Sequence, residues 1–160
     1  MSQKLYSVKD AQLLAKHRLP GIIYDFVAGS AGDETLRDLN TEALDAIRLM
    51  PRVLIDVSSR NLVQNFLGKE YGLPLGIAPM GMCNLVWPLA DQIIAREAAR
   101  RHFPVAVSTA SSTSLEKMIE LAEGYAWFQL YADQSPEFVD ELVQRAAFAN
   151  YECLILTVDV

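Results

Sequence analysis

Four short apolar runs begin near Leu73, Pro104, Ala126 and Cys153, spaced 31, 22 and 27 residues apart, and each gap holds one amphipathic helical pattern. Antiparallel strands can be joined by a two-residue turn, whereas a parallel pair needs a crossover about as long as a helix. The alternation therefore confines the second half of the chain to βα units around a parallel sheet. The first run, Leu73-Pro-Leu-Gly-Ile-Ala-Pro-Met-Gly81, reads as a buried strand that stops at a tight backbone corner. Ligands of such sheets bind at the carboxyl ends of the strands, so that corner is a candidate site.

With 160 residues, 51% of them hydrophobic, the chain has ample material for a core. Its formal charge of -6, without any Lys/Arg-rich stretch, argues against a nucleic-acid partner and for small-molecule chemistry. Cys83 and Cys153 lie too far apart for metal-ligand spacing and read as separate thiols, so no metal is expected. The first 20 residues interleave charges with apolar side chains, unlike a signal peptide or membrane anchor, and the expected compartment is the cytoplasm.

Three helices are expected ahead of the sheet. Ser7-Val-Lys-Asp10 opens the first in capping-box fashion, Pro20 the second, and the third spans about 33–49. The segment 51–72 reads as a β-rich connector, with Val53–Val57 and Asn61–Leu67 as possible strands and a turn at Gly68-Lys69. This divides the chain into 1–72 and 73–160. Among the later helices, 89–102 places Leu89, Ala90, Ile93, Ile94 and Ala98 inward with Asp91 on the solvent side. Thr113-Ser-Leu-Glu116 caps the helix at 114–123, and Ser135 with Pro136 opens 135–149, where Phe138, Val139, Leu142, Val143, Ala146 and Ala147 face inward. Trp87, Trp127 and Phe128 read as core aromatics.

The four strand ends are Pro79-Met-Gly81, Ser108 to Thr113, Gln129-Leu-Tyr131 and Thr157-Val-Asp159. Three of them switch from apolar to hydrogen-bonding types. The spacing of two puts Gln129 with Tyr131, and Thr157 with Asp159, on one face of their strands. Turn-forming and capping roles alone would account for Ser108, Thr109 and Thr113. Asp159 in an apolar strand needs a designated partner, because an unpaired buried carboxylate costs several kcal/mol.

Taken together, Leu19 to Glu34, Pro51-Arg-Val-Leu-Ile-Asp-Val57, Leu73 to Pro79, Ser108-Thr-Ala-Ser111, Trp127-Phe-Gln-Leu-Tyr131 and Leu156-Thr-Val-Asp159 resemble, in order, the FMN-dependent 2-hydroxy-acid dehydrogenase and oxidase family. That family includes glycolate oxidase, flavin L-lactate dehydrogenase and mandelate dehydrogenase. The resemblance implies a (β/α)8 TIM barrel, here an N-terminal helical segment plus the first four barrel strands, with FMN at the mouth. It implies that Pro79, Met80 and Gly81 approach the flavin ring, and that Ser108, Gln129 and Thr157 hydrogen-bond its pyrimidine edge. Tyr131 would face flavin and substrate, and Asp159 would orient a proton-abstracting histidine, the substrate being a small L-2-hydroxy acid.

Two positions depart from the family pattern. Phe26 stands where a substrate-carboxylate tyrosine is expected, and Met80 replaces a threonine or small residue. By the family's layout, the catalytic histidine, the carboxylate-binding arginines and the FMN phosphate site lie beyond Val160. The chain as given is therefore expected to be an inactive first half. The rival readings are another FMN barrel, such as an isomerase using reduced flavin, or a non-catalytic fragment or assembly partner. The resemblance also implies a homo-oligomer, a tetramer, when complete; the sequence leaves membrane association and the electron acceptor open.

Overall fold

A computed structural model describes residues 5–132 and 135–158. The chain divides into two compact units, Met1–Ser59 and Arg60–Val160. The sequence division at 72/73 differs because a hairpin within the connector goes with the sheet.

The first unit holds α1 (Val8–Arg18), α2 (Gly21–Ala28) and α3 (Thr35–Asp45). Ser7 Oγ accepts from the Asp10 amide at 3.1 Å, while the Asp10 carboxylate accepts from the Tyr6 amide, also at 3.1 Å. Two of the free donors at the start of α1 are thereby satisfied. α3 starts later than expected because Glu34, immediately before it, takes a left-handed conformation with φ 63°, and it ends at Asp45 rather than near Leu49. Val53–Val57 forms no strand.

In the second unit, β1 (Gln64–Phe66) and β2 (Lys69–Tyr71) pair antiparallel around Leu67 and Gly68. Both turn residues have positive φ, 51° and 79°, the backbone a two-residue hairpin with matching twist requires. There follow β3 (Ile77–Met80), α4 (Ala90–Arg101), β4 (Val105–Ser108), α5 (Leu115–Leu121), β5 (Ala126–Tyr131), α6 (Pro136–Phe148) and β6 (Leu154–Thr157). The sheet order is β3-β4-β5-β6 and every pairing is parallel. Strand order equals chain order, without the reversal of a doubly wound sheet, so these are consecutive units of a (β/α)8 barrel.

One face of the sheet packs on the helices. Val105, Val107 and Ala126 join Ala95, Ala98, Met118, Ile119 and Ala122, while Phe128 and Leu130 join Leu115, Leu142 and Ala146. By alternation, Ala106, Ser108, Trp127, Gln129 and Tyr131 point to the other face, the barrel interior. There the hairpin plugs the amino-terminal edge. Trp127 Nε1 donates to the Tyr71 hydroxyl at 3.1 Å, the Phe66 and Tyr71 rings lie 5.7 and 6.0 Å from the indole, and Lys69 Nζ donates to the Gly124 carbonyl at 2.9 Å. The carboxyl edge is left for chemistry.

Several local expectations are corrected. The buried stripe of α4 is Asp91, Ala95, Ala98 and Ala99, with Ile94 packed beside it, whereas Leu89 and Ile93 are exposed. Small side chains let α4 approach the sheet where larger aliphatics would hold it off. The cap of α5 is Ser114, whose Oγ accepts from the Lys117 amide at 3.3 Å, rather than Thr113. On α6, Phe138 and Val143 are exposed, and so is Trp87.

Candidate active site

The strands deliver their last side chains to the carboxyl edge with a regular register. Ser108 pairs with Gln129 across β4 and β5, and Tyr131 pairs with Thr157 across β5 and β6. Gln129 is fully buried, Ser108 nearly so. Gln129 Nε2 donates to Thr157 Oγ1 at 2.7 Å, a short bond that ties the two strand ends together. Ser108 Oγ accepts from the Ala110 amide at 3.1 Å. Neither hydroxyl donates to another described residue, so both retain a proton to give.

Gln129 Oε1 is the one buried side-chain N/O atom without a partner among the described residues. Leaving a buried acceptor unmade costs about 1–3 kcal/mol. Such an atom in a core residue calls for an explanation, and its neighbours supply one. Across β4, β5 and β6 the edge offers a donor, an acceptor and a donor in strand order. This row is complementary to a planar group presenting acceptor, donor and acceptor.

The β3 end is built around a bulge. Ile77 pairs with Val105 and Met80 with Val107, so three steps on β3 oppose two on β4. Pro79 fits there because it has no N–H to lose from the ladder. Pro79 and Met80 are exposed at the edge. Gly81 lies so close to the next loop that a Cβ there would meet the Ala110 Cβ at 2.9 Å. Met82 follows in a left-handed conformation, φ 54°, with its amide donating to the Ala110 carbonyl at 3.0 Å. Tyr131 is part-exposed at 38%, its amide donating to Thr109 Oγ1 at 3.2 Å, and Thr109 Oγ1 donates to the Gln129 carbonyl at 2.7 Å.

The structure thus brings Ser108, Gln129 and Thr157 together and joins the Pro79–Gly81 corner to the loop after β4. Phe26 belongs to the first unit, on α2, and is exposed. Asp159 lies outside the described residues. His102 is at the far edge, capping α4 and stacked on Tyr125 at 5.1 Å. One buried carboxylate escaped the sequence reading: Asp91, 3% exposed, accepts from Ser111 Oγ at 3.0 Å and the Ser112 amide at 2.9 Å. Burial first, and then this carboxylate, push the nearby Cys83 thiol up, keeping it neutral. The spacing of Asp91 with Ala95 and Ala98, one helical stripe of small residues, was the available signal.

A parallel βα sheet that gathers two hydroxyls and an unpartnered amide oxygen at its carboxyl edge has the architecture of a cofactor-binding barrel enzyme. The chain belongs to the FMN-dependent dehydrogenase family, whose pattern matches residues 15–160. It is 38% identical to (S)-mandelate dehydrogenase of Pseudomonas putida over 160 residues, all of this chain and 40% of that protein. It is 37% identical to glycolate oxidase 3 of Oryza sativa subsp. indica over 153 residues, 96% of this chain and 42% of that one. A soluble mutant of the membrane-associated (S)-mandelate dehydrogenase from Pseudomonas putida superposes with a TM-score of 0.90 at 38% identity, over 98% of this chain and 45% of its own. The chain therefore spans about two-fifths of the length of the curated relatives it matches.

Proposed function

We propose that the protein is an FMN-dependent oxidoreductase that oxidises a small L-2-hydroxy acid, of the lactate, glycolate or mandelate kind, to the 2-oxo acid. The observation that carries this is the unpartnered Gln129 Oε1 between two proton-bearing hydroxyls. The pyrimidine edge of a flavin presents carbonyl, N3–H and carbonyl. That sequence of acceptor, donor and acceptor fits Ser108, Gln129 and Thr157 in strand order. Bound FMN supplies a two-electron acceptor at its ring N5.

The chain's own residues then have distinct tasks. Ser108 and Thr157 donate to the ring carbonyls, and Gln129 accepts from N3–H. The exposed Pro79, Met80 and Gly81 corner flanks the ring. Tyr131 would line the space between ring and substrate, and Phe26 stands at the sequence position where the family pattern has a substrate-carboxylate tyrosine, without its hydroxyl. By the family pattern, Asp159 would orient the base that takes the proton from the hydroxy acid, as a carboxylate can fix the tautomer of an imidazole. His102 caps α4 at the far edge and is not placed to be that base.

The fit to relatives named for mandelate and glycolate supports the substrate class. We place the protein in the cytoplasm as a homotetramer. No helix of the described residues is long and apolar enough to cross a membrane, while one similar structure is a monotopic membrane (S)-mandelate dehydrogenase, so attachment to a membrane surface belongs to the same reading. The test is anaerobic mixing of the full-length, FMN-loaded protein with lactate, glycolate and L-mandelate. Loss of the oxidised-flavin visible band with at least one acid is expected; a flavin that no 2-hydroxy acid reduces overturns the proposal.

A further inference from the structure

We propose that Asp91 is a positioning residue for the flavin edge, locking the loop after β4 so that Ser108 keeps its hydroxyl proton for the ring. This rests on the FMN reading above. Asp91 is the second residue of α4, buried to 3% exposure, and no cation pairs with it among the described residues. A carboxylate in that position is tolerated only when hydrogen bonds replace its water. It has two, Ser111 Oγ and the Ser112 amide, and both belong to the loop that follows Ser108. The start of a helix adds favourable dipole and amides; the Asp91 amide itself donates to Asn84 Oδ1 at 3.3 Å.

The consequences run inward along the loop. With Ser111 held, its amide donates to the Ser108 carbonyl at 3.0 Å, closing a tight turn. That turn aims the Ala110 amide at Ser108 Oγ, 3.1 Å away. One acceptor site of the serine is now filled by an N–H, so its own proton is turned away from the loop. The same Ala110 takes the Met82 amide on its carbonyl and leaves room for no side chain at Gly81. A single buried carboxylate thus sets the hydroxyl on β4 and the register between that loop and the β3 corner.

The test is FMN titration by fluorescence quenching on the full-length apoprotein, comparing wild type, Asp91→Asn, Ser108→Ala and the double variant. Melting curves establish that each is folded. Removing the serine donor should raise the Kd about 10-fold and Asp91→Asn about 5-fold, and the double variant should match Ser108→Ala to within about twofold, because one residue acts through the other. The two single variants should also shift the visible band of bound FMN in the same direction. Ser111→Ala, which removes one clamp bond without touching the carboxylate, should repeat the non-additivity should Asp91→Asn prove unfolded. A loop anchor with no bearing on the flavin would lower the melting temperature, leave the Kd unchanged and add fully to Ser108→Ala, which overturns the inference alone. Failure of the wild type to bind FMN overturns the FMN reading and this inference with it.

Discussion

Tyr151, half-buried, and Gln129, fully buried, are polar groups that meet burial differently. The Tyr151 hydroxyl donates to the Leu115 carbonyl at 2.7 Å, and its ring lies 5.9 Å from Phe128. Burial, and secondarily the Glu116 charge, push the phenol well above its ordinary range. The folded state therefore favours the neutral form. That stabilisation is complete below the unfolded phenol's pKa of about 10 and is lost as pH climbs towards the folded value. Tyr151→Phe should cost about 1 kcal/mol at neutral pH in urea unfolding, and the gap should narrow or reverse above about pH 10. A gap that stays constant into alkali would contradict the assignment. Gln129, by contrast, is left half-satisfied, which is sensible only if something else completes it. Its switch from apolar to amide at a strand end was legible in the sequence, as were Ser108 and Thr157. Asp91 was not, because an acidic residue on a mixed helix reads as solvent-facing until the alanines beside it are recognised as the packed stripe.

At the scale of single elements, capping residues locate helix starts to within a residue but not always to the residue. Thr113 and Ser114 are both good caps in isolation, and a glutamate three residues after Thr113 favours it in the sequence. The loop decides otherwise: the Thr113 amide donates to Ser111 Oγ at 3.3 Å, leaving Ser114 to accept from Lys117. Ser114→Ala should lower stability by about 1 kcal/mol, whereas Thr113→Ala should stay within about 0.5 kcal/mol. Equal losses in chemical denaturation would contradict the placement of the cap. The β3 bulge was equally hidden. Pro79 marks an irregularity in any strand, but whether it ends the ladder or bulges it depends on the neighbouring register, a non-local property.

Across the whole molecule, βα spacing alone was enough for a parallel sheet, because each crossover must carry a helix, whereas the barrel rather than a doubly wound sheet was implied by the family resemblance. The extent of the first unit was less legible: its apolar stripes suggest packed helices, yet none of its three helices buries a residue within the chain described. β6 ends the sheet order, and Leu154 and Leu156 on it are about half exposed. An unpaired strand beside exposed aliphatics is a template for association. Static light scattering on the 160-residue polypeptide should show self-association at micromolar concentration, and a clean monomer would contradict this reading of the edge.

The central claim is that three strand ends read the pyrimidine edge of FMN, with Gln129 Oε1 taking the N3 proton. Its most direct measurement compares the affinity of the full-length apoprotein for FMN and for FMN methylated at N3, in wild type and in Gln129→Leu. Methylation removes the donor and strands a buried acceptor, at about 1–3 kcal/mol, so wild type should prefer FMN by roughly 5- to 150-fold. Gln129→Leu should lose that preference, since it has no amide oxygen to take the N3 proton. Equal affinity of wild type for the two flavins would contradict the account.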